Sequence, residues 1–127
     1  MKKFIQVRAG GHKGGKLFVQ REEDQVEYLM PGGTKQRGES HEETLLREVR
    51  EELGTNVRKN TVRHFGSFED IAAVVHMEVF LGELENDPRP TGEVLELIWL
   101  SKHNNWSKLS PIIRGKILPA LIEASLI

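Results

Sequence analysis

Residues 33–55 read GTKQRGESHEETLLREVREELGT, a glycine-bearing loop followed by a helix, with six glutamates and three glycines between them. Glu48, Glu51 and Glu52 are three and four residues apart, so a helix sets their carboxylates on one side. Leu46, Val49 and Leu53 fall on another side, roughly 140° round at 3.6 residues per turn. The helix therefore has an apolar stripe to bury and an acidic one to present. Three like charges at this spacing repel unless something positive lies among them. Hard oxygen donors in such a group suit Mg²⁺ or Mn²⁺, which take carboxylates and keep waters for a phosphate-bearing substrate.

The helix is punctuated at both ends. Ser40 followed by Glu43 is a capping box, and Gly54 supplies the left-handed residue that ends a helix. Upstream, Pro31-Gly32-Gly33 is expected to break a strand and let backbone approach a ligand. Taken together, Gly33, Glu39 and the run Arg47-Glu48-Val49-x-Glu51-Glu52-x-Gly54 resemble the Nudix box of the Nudix hydrolases in residue type and spacing. Thr55 departs from that pattern, where an aliphatic residue is usual. The competing reading, an ordinary solvated acidic helix with a capping box, does not account for seven specified identities at fixed spacing.

A chain of 127 residues has the length of one domain, taken as residues 1–127. Its formal charge of −1 argues against a protein that coats nucleic acid and leaves a single nucleotide substrate open. With no cysteine, disulfides, thiolate zinc sites and cysteine nucleophiles are excluded. The opening MKKFIQVRAG has no apolar run suited to a signal peptide, and no stretch approaches a membrane span, so a cytoplasmic location is expected.

Strands are expected at residues 3–8, 16–21, 26–30, 61–68, 71–81 and 93–100, with a glycine-rich turn over 9–15 and a polar loop over 82–92. Glu69-Asp70 separates two of the strands. Ser110-Pro111 should open a second helix reaching about Leu126, with Ile113, Ile117, Leu121 and Ala124 on one face and a kink or split at Pro119. This order fits an α/β or α+β domain with a mixed sheet between helices. The resemblance narrows that to the αβα sandwich of the Nudix fold. It extends beyond the box to the strand ending in Gln20-Arg21, to Pro-Gly-Gly and to a late strand closing on Trp99-Leu100.

What the resemblance implies is hydrolysis of a nucleoside diphosphate linked to a further group, giving a nucleoside monophosphate. Glu48, Glu51 and Glu52 would form the metal cluster, and Glu48 could double as general base. The Gly32 carbonyl is a candidate ligand and Glu39 a ligand reached through water. Arg47 cannot bind a cation and is expected to hold a glutamate as a bidentate partner. A further carboxylate is expected from the sheet side. Glu93 and Glu96 are three apart and would face opposite ways along a strand; Glu93, beside the Gly92 loop, is favoured.

Arg21, Lys35 and Arg37 are candidates for substrate phosphates, weighed against ordinary surface cations. Asn105, in the loop 104–106, is a candidate for base recognition, weighed against a turn role. The marks of relatives specific for ADP-ribose, diadenosine polyphosphates and coenzyme A are not evident; position 70–71, for instance, is Asp-Ile. A short MutT-like enzyme for nucleoside triphosphates, oxidised ones included, remains. Alternatives are an enzyme for NDP-sugars, ADP-ribose or dinucleoside polyphosphates, and a silent Nudix-fold sensor, which would be expected to lose a box glutamate. A calcium-binding structural protein would alternate ligands within a loop instead. The expected partner is a small nucleotide, with no stable nucleic-acid complex and no membrane, in a monomer or homodimer.

Overall fold

The computed structural model describes residues 2–9, 15–72 and 74–127, the first of these segments by its backbone. Most of the glycine-rich turn expected at 9–15 lies outside them. Among the described residues, six strands form two sheets. Strands β1 (Lys2–Ala9), β3 (Gly32–Thr34), β4 (Arg63–Asp70) and β5 (Val75–Leu84) are ordered β3-β1-β5-β4. In this sheet β1 runs parallel to β5, and the other two pairings are antiparallel. Strands β2 (Leu17–Glu22) and β6 (Val94–Leu100) pair antiparallel as the second sheet.

The helix α1 (His41–Leu53) covers one face, and a π-helical stretch, Ile113–Ile117, running into α2 (Leu118–Glu123) covers the other. Strand alternation makes this possible. Leu17 and Val19 pack with Met77, Val79, Ile113, Ile117 and Leu121, whereas Phe18, Phe80 and Leu84 pack with Leu45, Val49 and Leu53. The result is an α+β sandwich whose two apolar cores share the same strands.

Several local expectations change. Residues 26–30 form no strand: Leu29 and Tyr28 make single bridges to Gln20 and Leu109, and the strand is Gly32–Thr34. Pro-Gly-Gly thus starts a strand instead of breaking one. Glu69 and Asp70 finish β4, and the turn follows them. Gly82–Leu84, expected in a loop, completes β5, because Leu84 is fully buried beneath α1. Pro119 leaves the helix unsplit. Its missing N–H falls just after the π-helical turn, where Leu118 N–H reaches back to the Ile113 carbonyl. Ser110 precedes that helix without capping it; its buried hydroxyl makes no hydrogen bond. Ala124 lies beyond the helix, which ends at Glu123.

One polar network stitches β4 to β5. Glu78 accepts from Ser67 Oγ at 2.8 Å and contacts His64 Nε2 at 3.1 Å and His76 Nε2 at 2.7 Å, while His76 Nδ1 meets Glu69 at 2.8 Å. Burial pushes the Glu78 carboxyl up, but the bonds from Ser67 and the two histidines outweigh it and hold it at about 2. Bonds to Glu78 and Glu69 raise His76. The carboxylate's contribution is lost as pH falls from 4.5 through that depressed value. The histidine's is lost as pH rises from 6.5 through its raised one. Glu78→Gln should therefore cost most stability near about pH 6, and less at about pH 2 and pH 9. Denaturant midpoints of the two proteins across that range check this; a pH-independent difference would contradict it.

Candidate active site

The helix α1 forms as its punctuation directs. Ser40 Oγ accepts from Glu43 N–H at 3.1 Å, Glu43 Oε1 accepts from Ser40 N–H at 2.9 Å, and Gly54 closes the helix at φ 65°. Thr55, the departure from the box, is buried, and its Oγ1 accepts the Asn86 N–H at 3.2 Å, which gives the hydroxyl a partner. The buried side of α1 is Thr44, Leu45, Val49, Glu52 and Leu53; Leu46 is only half-buried. Leu45, not Leu46, heads the stripe. Seven residues separate Leu45 from Glu52, nearly two full turns, so Glu52 points the same way as the apolar residues. The acidic side is thus the flank of the buried arc, and one carboxylate is carried inward.

Glu52 is 8% exposed. Its Oε1 accepts from the Gly32 N–H at 3.0 Å and its Oε2 from Gln20 Nε2 at 2.6 Å. Desolvation pushes the carboxyl up to about 8, against the two hydrogen bonds and with help from the charges of Glu48 and Glu22. Glu48 is also raised, by burial first, with Arg47 opposing. A Cβ at Gly33 would lie 2.5 Å from Glu48 Oε1, so this glycine leaves room for the carboxylate against the strand.

Arg47 organises the rest. Its Nε and Nη2 grip both oxygens of Glu39 at 2.6 and 3.1 Å, and Nη1 reaches Glu48 at 2.9 Å and Glu51 at 3.4 Å. Nη2 also donates to the Thr34 carbonyl at 3.3 Å. The expected bidentate role is met, and the partner is Glu39. That bond, followed by one from the Gln36 N–H, holds the Glu39 carboxyl at about 2. Glu39 is placed as the anchor of Arg47 and of the loop before α1.

The candidates outside the box are spread more widely. Arg21 faces away from α1: its Nε bonds Glu96 at 2.8 Å, and Glu96 also accepts from the Tyr28 hydroxyl. The bond from Tyr28, then that from Arg21, lowers the Glu96 carboxyl. Glu96 shares its strand side with Ile98 and Leu100, which pack toward α2, so it does not join the box. Glu93 precedes β6 in an exposed turn and is not part of the strand. Lys35 and Arg37 are exposed in the loop between β3 and α1. Asn105 lines a cavity of about 260 Å³ with Tyr28, Ile98 and Leu100, and its Oδ1 accepts the Ser107 N–H at 2.9 Å.

Two residues of β2 to which the sequence assigned no role at the site belong to it. Gln20 holds Glu52, and Glu22, two residues further along, bears on it electrostatically. The signal was the alternation in LFVQRE, where Phe18 under α1 places Gln20 and Glu22 on the same side. Among the described residues no three acidic or histidine side chains already converge as a metal cage. The donor set itself fits Mg²⁺ or Mn²⁺: three carboxylates within one and a quarter turns, backbone brought close at Gly32-Gly33, and a buried amide oxygen on Gln20 with no partner.

Residues 5–121 match the NUDIX domain family. No curated protein sequence matches the chain. Among solved structures, the MutT described for Aliivibrio salmonicida and Vibrio cholerae superposes with a TM-score of 0.76 at 17% identity, covering 97% of this chain and 96% of that one. MutT protein from Methanosarcina mazei gives 0.70 at 18% identity, covering 97% and 93%. The pyrophosphohydrolase BsRppH of Bacillus subtilis gives 0.70 at 24% identity, covering 98% and 80%. At these identities the structures speak for the fold.

Proposed function

The chain belongs to the NUDIX domain family, and on that premise we propose that it is a pyrophosphohydrolase requiring Mg²⁺ or Mn²⁺. Its substrate is a nucleoside diphosphate linked to a further group, with nucleoside triphosphates, oxidised ones included, as the leading class. The observation that carries this reading is Glu52, a carboxylate drawn into the fold and pinned between Gln20 and Gly32, beside Glu48. Burial with only neutral hydrogen-bond donors raises a carboxyl, and a bound divalent cation would supply the positive partner that favours its ionised form.

Glu48, Glu51 and Glu52 would hold the cation, with the Gly32 carbonyl as an additional donor. Bound there, it would neutralise phosphate oxygens and lower the pKa of a water. Arg47 keeps Glu48 and Glu51 from splaying apart, through contacts that Glu39 anchors in turn. Glu48, half-buried beside Glu52 and Gly33, is the leading acceptor for the proton of the attacking water, ahead of the exposed Glu93. Of the three candidates, Lys35 and Arg37, on the loop leading into α1, are left to meet substrate phosphates, since Arg21 is engaged with Glu96 on the other side of the strand.

The experiment is a screen of nucleoside triphosphates, NDP-sugars, ADP-ribose and dinucleoside polyphosphates with Mg²⁺ or Mn²⁺. Released phosphate is read after pyrophosphatase or phosphatase treatment. Turnover of triphosphates to monophosphate and pyrophosphate is expected. No turnover of any class would overturn the enzymatic reading in favour of a nucleotide-binding module. Preference for a sugar, ADP-ribose or dinucleotide substrate would keep the chemistry and move the specificity. Glu93→Gln and Glu96→Gln, measured on the substrate found, should each leave kcat within about tenfold, whereas loss of a general base typically costs 10²–10⁴-fold. A larger loss in Glu93→Gln alone would return the base to the sheet side.

A further inference from the structure

Gln20 is 3% exposed in the middle of β2. Its backbone is fixed on both sides, by the Leu97 register in β6 and by reciprocal bonds with Leu29 at 2.7 and 2.8 Å. The side chain has one acceptor and one donor group, and only the donor is used. Nε2 gives a hydrogen to Glu52 Oε2 at 2.6 Å, while Oε1 is buried and without a partner. Against an ionised Glu52, turning the amide over would press Oε1 against the carboxylate and lose the bond, so the ionised form, the one a cation meets, sets the orientation. Oε1 is joined to the same carbon as Nε2, so it is buried within a few ångströms of the group that Nε2 holds and lacks a donor. Glu22, the next residue along on that side, is a carboxylate and cannot donate when ionised.

With Glu52 ionised, the missing donor can come with whatever Glu52 binds. Mg²⁺ and Mn²⁺ keep several waters when held by protein carboxylates, and such waters are strong donors. We propose that Gln20 is a positioning residue for the cation: its amide N–H fixes Glu52, and its amide oxygen accepts a hydrogen bond from a water on the metal. This rests on the divalent-cation reading above. Such outer partners typically contribute 10–100-fold to metal affinity or activity.

The test is Mn²⁺ binding without substrate, read by electron paramagnetic resonance of free Mn²⁺, for wild type and Gln20→Met. Methionine keeps the length of the side chain and removes both donor and acceptor. Mn²⁺ affinity is expected to fall ~10-fold or more, with cooperative unfolding retained. Activity should also be recovered in part by excess Mg²⁺, which a defect of folding would not allow. Affinity within twofold of wild type would overturn the inference alone. A wild type that binds no Mn²⁺ would overturn the cation reading and this inference with it. Should Gln20→Met not fold, the Gln20 side-chain amide resonances of the wild type decide: a shift on adding Mg²⁺ supports the contact, and no shift overturns it.

Discussion

Glu52→Gln is expected to lower kcat ~10²-fold or more while leaving the fold intact. Glutamine has the same shape, and its carbonyl oxygen can still accept the Gly32 N–H, so packing on the buried side of α1 is preserved. What disappears is the negative charge that a cation would meet at the most enclosed of the three carboxylates. Stability should move the other way in the metal-free protein. The Glu52 carboxyl is raised from 4.5 to about 8, chiefly by desolvation. A group raised in the folded state contributes its stability below the unfolded value and loses it as pH climbs through the folded one. The variant's advantage should therefore be small at about pH 4 and grow toward about pH 8. Parallel thermal unfolding with chelator present measures it. A variant that turns over normally, or one that unfolds at neutral pH, would contradict the assignment.

Gly33→Ala is the second large effect. The added methyl would stand 2.5 Å from Glu48 Oε1 and 2.7 Å from its Cδ, closer than real contacts allow. The obstacle is the far end of a flexible side chain, so the cheapest response is for the Glu48 carboxylate to swing away. Stability should then change little, because the strand backbone and the buried residues of α1 stay where they are. Catalysis should not escape: a displacement of about 1 Å in a reacting constellation can cost ~10²-fold. The expected result is a folded protein with kcat reduced to that extent and a near-normal melting temperature. Loss of folding with no specific loss of activity in the folded fraction would show that Gly33 serves the strand, not Glu48.

How far the amino-acid order carries can be judged from these same residues. The capping box, the αL glycine and a bidentate role for Arg47 are local or nearly so, and each was legible from residue type and spacing; that Glu39, in the loop before α1, is the partner was not. Nor was Glu52's burial. Its place beside Glu48 and Glu51 suggests an exposed acidic face, and only the sheet beneath α1 decides that the arc centred on Leu45 turns inward and takes Glu52 with it. Gln20 and Glu96 illustrate the longer range. Their roles depend on the pairing of β2 with β6, a register between residues more than seventy positions apart. The strand at Gly32–Thr34 was hidden by its composition, since two glycines carry no strand signal. It exists because β1 offers it an edge.

The most direct test of the central claim follows a nucleoside triphosphate by ³¹P nuclear magnetic resonance with wild-type protein, first with Mg²⁺ and then with excess EDTA. Conversion to nucleoside monophosphate and pyrophosphate is expected in Mg²⁺, arrested by the chelator and restored by added Mg²⁺. Hydrolysis that continues undiminished in EDTA would contradict the role given to Glu48, Glu51 and Glu52.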